Sequence, residues 1–257
     1  MKSIRPAMLA LALLAAGAQP AFADISFEAE YVVTVRGFTV GRASFDGSVT
    51  GARYEVNGKL ASAGLARVFA KTDATARTAG ALSVAAAQPD SFVLSYVQDG
   101  VPSKTEILFR NGEAVRTDIE PAPTSPPAPE VIPVTGSHLQ SVVDPIAATI
   151  LVRGTPEQIC SRVLRVYEGG TRVDVALSLA EVGFVYGAGN RAVTCKGSFI
   201  PVAGMSPANK SYQFMRDKAD MEFVYVPAAG GLYMLYAASA QTEIGRVQIK
   251  AWRRKVR

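Results

Sequence analysis

His138 is the sole imidazole in the chain, and it follows a hydroxyl-bearing residue, Ser137. Nucleophilic catalysis needs a base within hydrogen-bond reach of its nucleophile. Side chains at adjacent positions normally diverge, so Gly136-Ser137-His138 reads as a loop rather than a catalytic pair. No Gly-x-Ser-x-Gly elbow occurs, and Gly197-Ser198 lacks a second flanking glycine. The acids are scattered, with none of the paired spacing that glycoside cleavage needs. Calcium loops, phosphate loops and dinucleotide fingerprints are absent from the sequence. Two cysteines remain, Cys160 and Cys195. An even count in an exported chain suggests one disulfide. Two free thiols or a metal pair are the alternatives, though two cysteines supply only half a zinc shell. The residue types thus imply no catalytic group, no metal and no cofactor.

Binding chemistry is better represented. Met221, Phe223 and Tyr225 alternate, as do Leu232, Met234 and Tyr236, with Phe214 and Met215 upstream. Such side chains either fill a core or line a cavity for a lipophilic ligand, where methionine adapts to irregular shapes. Arg172 and Asp174 share one face of a strand beside Tyr167, as a surface ion pair or with Arg172 open to an anion. The candidate ligand-binding set is therefore Tyr167, Arg172, Phe223, Tyr225, Met234 and Tyr236.

The start of the chain bears on where these residues work. Lys2 and Arg5 precede an apolar run over 7–18, which ends in Ala21-Phe22-Ala23. That is the layout of a cleavable secretory signal peptide over 1–23. It predicts a periplasmic protein that begins near Asp24. No later stretch reaches the roughly 18 apolar residues of a membrane span. Without Lys2 and Arg5 the net charge falls from +5 to +3, too little for the dense basic face of a nucleic-acid binder. Basic residues cluster only at Arg253, Arg254, Lys255 and Arg257, a pattern that reads as a frayed, solvated tail or as a contact for a polyanion or an anionic lipid.

Period-two alternation dominates the rest. Ile25 to Val35, the residues around 40–46 and those around 54–58 form a meander with closely spaced turns. Further strands are expected near 91–98, 103–110, 113–120, 160–168, 171–180, 191–200, 219–226, 231–239 and 242–252, with Asn111-Gly112 as a two-residue hairpin turn. Two segments break the pattern. Leu60 to Ala70 has a helical spacing of apolar residues. Asp144-Pro145 opens a near-continuous apolar run with an N-cap and a first-turn proline, predicting a buried helix over 145–152. Residues 120–133 contain six prolines in 14 positions and form an extended connector between halves 24–119 and 134–257. The expected architecture is a single β-rich domain over 24–257. It is a large curved antiparallel sheet or open barrel, β-spiral-like, around one short helix.

Several segments in order resemble a bacterial family of unknown function, the DUF-3108-type proteins. They are Tyr31-x-Val33 with Gly37-Phe38-x-Val40-Gly41, Asp144-Pro145-Ile146-Ala147-Ala148, and Val166 through Asp174 after Cys160. Cys195 with Phe199-Ile200-Pro201-Val202-Ala203-Gly204 completes the series. Tyr167-Glu168 stands where the family usually has Phe-Asp. The resemblance implies a periplasmic, mostly antiparallel β protein with a cysteine pair and no established activity. Together these readings predict a non-catalytic envelope protein that binds a lipophilic ligand or envelope component and supports envelope integrity. A scaffolding partner of another envelope protein or of peptidoglycan, or an atypical hydrolase, are the alternatives.

Overall fold

The computed structural model describes residues 24–64, 67, 71–84 and 86–257. The expected signal peptide, over 1–23, lies outside the described residues. Among the described residues fourteen strands form one antiparallel sheet, with three short α-helices beside it. The first seven strands make a continuous meander: β1 (Ile25–Val35), β2 (Phe38–Thr50), β3 (Arg53–Ser62), β4 (Thr72–Ser83), β5 (Ala86–Gln98), β6 (Val101–Arg110) and β7 (Glu113–Glu120). In the second half β8 (Leu151–Arg153) is followed by β9 (Val163–Tyr167), β10 (Arg172–Val185), β11 (Gly189–Ala203), β12 (Met221–Pro227), β13 (Leu232–Thr242) and β14 (Gly245–Val256). In space the order is β7-β6-β5-β4-β3-β2-β1-β14-β13-β12-β11-β10-β9, with β8 added beside β13. The two halves therefore join where β1 pairs with β14.

Alternation explains most of this arrangement. Ile25, Phe27, Ala29 and Tyr31 are buried, while Ser26 and Glu28 between them are exposed. At the β6–β7 turn Asn111 and Gly112 both have positive φ, 53° and 77°, as the two-residue turn that matches sheet twist requires. Gly80 sits at a bulge between β4 and β5, where a Cβ would come within 2.2 Å of the Gln88 carbonyl oxygen.

The sequence reading missed β4 altogether, because its Ala- and Thr-rich residues carry little hydrophobic contrast. The helix expected over 60–70 is not where β3 continues through Ser62; residues 65–66 and 68–70 lie outside the described residues. Helix α1 (Pro145–Thr149) is shorter than expected, since Leu151–Arg153 leaves it to pair with β13. The basic residues at the end form no frayed tail. β14 is an interior strand, and Arg253 and Arg257 lie 3.5 Å from Glu30 and Glu28 of β1. Helix α2 (Pro156–Cys160) occupies the start of the strand expected at 160, and α3 (Lys210–Lys218) was not foreseen.

Helix α1 packs inside the curve of the sheet. Ile146 and Ala147 share the main core with Tyr54, Val56, Leu82 and Phe92. A second core gathers Ile159, Leu164, Val175, Val193, Phe223 and Tyr225 around the Cys160–Cys195 disulfide.

A short extended segment draws the two distant sheet edges together. Val142 N donates to Gly112 O at the β6–β7 turn, and Val143 N donates to Arg165 O on β9. Tyr167 N donates back to Val143 O, while its hydroxyl donates to Gly169 O at 2.6 Å and lies 3.2 Å from Thr117 Oγ1 on β7. The Pro-rich connector crosses the outside and is held by two backbone bonds, from Ile132 N to Met205 O and from Gly204 N to Ile132 O.

Candidate functional site

Asp144 is fully buried and caps α1: its Oδ1 accepts from Ile146 N at 3.0 Å and Ala147 N at 2.9 Å. Its Oδ2 accepts from Thr78 Oγ1 at 2.7 Å, and Tyr54 OH lies 3.4 Å from that hydroxyl. Burial pushes the Asp144 carboxyl up to about 6, against the pull of those hydrogen bonds. The trio is sealed. Only about 10 Å³ of space remains between Ala147, Ile150 and Leu151 of the helix region and the sheet residues they face. Asp144 can hold a proton there, but it has no route to a substrate.

His138 ends as a turn residue. Its Nδ1 accepts from Thr135 N at 3.1 Å, and the neighbouring Ser137 hydroxyl bonds Thr135 Oγ1 at 3.1 Å. The backbone of this turn is gripped by Arg172, whose Nη1 donates to His138 O at 2.7 Å. Arg172 also pairs with Asp174 Oδ1 at 2.7 Å, and the two side chains are only 6% and 18% exposed. The surface pair expected from alternation is thus a buried one, because the connector and its turn cover that face. Both donating edges of the guanidinium are committed.

The other expected binding residues divide between the two cores. Tyr167 closes the sheet edges, as described above. Phe223 and Tyr225 lie beside the disulfide, where burial raises the Tyr225 phenol. Met234 and Tyr236 belong to the main core and also line a recess of about 640 Å³. There Lys250 Nζ lies 5.5 Å, and the Arg254 guanidinium 4.9 Å, from the centre of the Tyr236 ring. The Tyr236 hydroxyl donates to Tyr186 O at 3.2 Å. The structure therefore brings together two of the six residues at an opening and places the other four in packing roles.

A larger opening involves residues the sequence reading did not single out. Tyr31 opposes Ala43, Ala43 opposes Leu60, Leu60 opposes Ala74, Ala74 opposes Tyr96, and Tyr96 opposes Ser103. Directly opposed residues share a face, so these six make one row across β1–β6. The adjoining row is polar: Glu30, Ser44, Lys59, Thr75, Ser95 and Lys104 oppose one another in turn. A groove of about 1370 Å³ follows these rows, and Val97, Val101 and Trp252 also line it. Leu60, Val97, Val101 and Trp252 are exposed large apolar side chains. In sequence these positions are 7 to 22 residues apart and only the strand register aligns them. The one signal available was Trp252, the single tryptophan, set in a basic stretch.

The arrangement offers apolar area with scattered charge and no convergent reactive groups. Among the described residues no cluster of His, Cys, Asp and Glu has metal-binding geometry, and no helix is long and apolar enough to cross a membrane.

The fold is similar to that of a crystal structure described as a beta-barrel-like protein of domain of unknown function DUF1849 from Brucella abortus. The TM-score is 0.52 at 9% identity, over 91% of this chain and 98% of that one. At that identity the likeness is one of fold. No curated protein matches the chain. A family model described as "Protein of unknown function (DUF3108)" matches residues 30–251. Matched over most of its length, from β1 to β14, the chain belongs to the DUF3108 family.

Proposed function

We propose that this protein is a non-catalytic envelope protein, exported to the periplasm, that holds a lipophilic ligand and thereby supports envelope integrity. The observation that carries this reading is the groove of about 1370 Å³ walled by Leu60, Tyr96, Val97, Val101 and Trp252. Pockets of roughly 300–1,000 Å³ already accommodate drug-sized ligands, so this space is ample for an alkyl chain. Isolated exposed apolar residues are ordinary; several meeting in one concavity mark an interaction site. The Cys160–Cys195 disulfide supports an oxidising compartment.

The test is solvent extraction of protein purified from its own host, followed by mass spectrometry of the extract. A lipophilic compound near one per chain is the expected result. Leu60 is 42% exposed, so Leu60→Glu places a charge in the groove without disturbing the core. The variant should lose the compound while keeping the parent melting temperature. Extracts without any lipophile, together with no binding of an added fluorescent fatty acid, would overturn the reading.

A further inference from the structure

Tyr236 carries two cations on its ring, and neither has an acidic partner. Arg253 and Arg257 reach glutamates on β1, whereas among the described residues Lys250 and Arg254 form no ion pair. Arg254 makes a single long bond, from Nη2 to Gly187 O at 3.5 Å. The ring beneath them is buried and fixed by its hydroxyl bond to Tyr186 O. Gln248 adds an amide to the same recess of about 640 Å³. A buried ring that positions two uncompensated cations in a concavity is a receptor for a compact anionic group.

Trp252 lines both this recess and the apolar groove, the one residue common to the two. It is the extra residue of a bulge: Tyr31 opposes Ala251 and Glu30 opposes Arg253, leaving Trp252 unopposed. Trp252 thus stands where an apolar space meets a cationic one.

We propose that the ligand is an anionic amphiphile, with its charged head group held by Lys250 and Arg254 and its alkyl chain laid past Trp252 into the groove. The inference rests on the groove reading and adds the chemistry of the head. Charge complementarity selects the occupant: a neutral lipid satisfies the groove and leaves both cations unanswered, while a free anion satisfies the cations and leaves the groove empty.

The single tryptophan is the reporter. The purified protein is titrated with monomeric lysophosphatidylglycerol, with lysophosphatidylcholine of the same chain length, and with inorganic phosphate, following Trp252 emission and checking by equilibrium dialysis. The anionic amphiphile should bind about tenfold more tightly than the zwitterionic one, as one charge-assisted contact warrants. The double variant Lys250→Ala, Arg254→Ala should erase that preference and keep lysophosphatidylcholine affinity within about twofold, which at about 0.4 kcal/mol is the scatter of independent substitutions. Equal affinities in the parent protein, or a preference that survives in the double variant, would overturn the head-group assignment and leave the groove reading intact. Phosphate binding as tightly as the anionic amphiphile would show a free-anion site and overturn the proposal. Binding of neither amphiphile would overturn the groove reading along with it.

Discussion

Asp144 shows how much one side chain carries. It opens α1, bonds Thr78 on β4 and has no exposure to water. The folded state keeps its proton up to about pH 6, whereas the ordinary value is 3.8. Between those values the folded chain binds more protons than the unfolded one, so stability from this group falls as pH rises through that window and is level above it. The span corresponds to about 3 kcal/mol. Asn keeps the capping acceptor and cannot titrate. Denaturant midpoints of parent and Asp144→Asn should therefore diverge in slope between pH 4 and pH 6 and run parallel at higher pH. Parallel profiles throughout would show that Asp144 does not titrate there. Arg172 is the second such residue. Replacement by Met leaves Asp174 half-sealed without its cation and releases the His138 carbonyl. A loss of about 2–4 kcal/mol is expected in chemical denaturation, with faster amide exchange over 136–140.

Elements were legible where the side chains contrast. Alternation located β1, β6 and β7, and Asp144-Pro145 located α1, because a cap and a fixed proline φ act locally. Local rules could not foresee that α1 would stop at Thr149: Leu151–Arg153 gain more from pairing with β13 than from another helical turn. Nor could they foresee that the basic end forms an interior strand, since that depends on Glu28 and Glu30 more than two hundred residues earlier. The cysteine pair was readable from its count, and its energetic role belongs to this scale. The bridge joins α2 to β11 across a separation of 35 residues and anchors the second core. Replacing both cysteines with Ala should cost about 4 kcal/mol by the chain-entropy argument. Thermal unfolding under reducing and oxidising conditions checks this: the parent should shift and the variant should not.

At the scale of the whole molecule, the sequence foretold a curved sheet around a helix, while of its six expected binding residues only Met234 and Tyr236 line an opening. Tyr167, Arg172, Phe223 and Tyr225 are consumed by edge closure, turn anchoring and the disulfide core. The main groove arises in the N-terminal meander, where small residues such as Ala43 and Ala74 leave room between Tyr31, Leu60 and Tyr96. That half is rich in alanine and carries few large apolar side chains. Its poverty is the reason the space exists, since each alanine opposite a larger residue lowers the floor of the concavity. Filling it tests this view directly. Ala74→Trp, at a half-buried position, should weaken amphiphile binding at least tenfold by displacement of the chain, with melting temperature as the control.

The pairing of β1 with β14 has a temporal consequence. Ser26 and Arg257 exchange backbone bonds of 3.0 and 2.9 Å, so residues 231 positions apart are neighbours across the β1–β14 seam. In a chain that emerges N-terminus first, β1 must wait on one side for a mate more than two hundred residues downstream. Until then the meander is a half-structure with an unguarded margin, which is the condition chaperones exist to shelter. The seam between the two halves therefore closes only when β14 is in place, and a chain truncated ahead of Gly245–Val256 leaves β1 without its mate down the middle of the sheet.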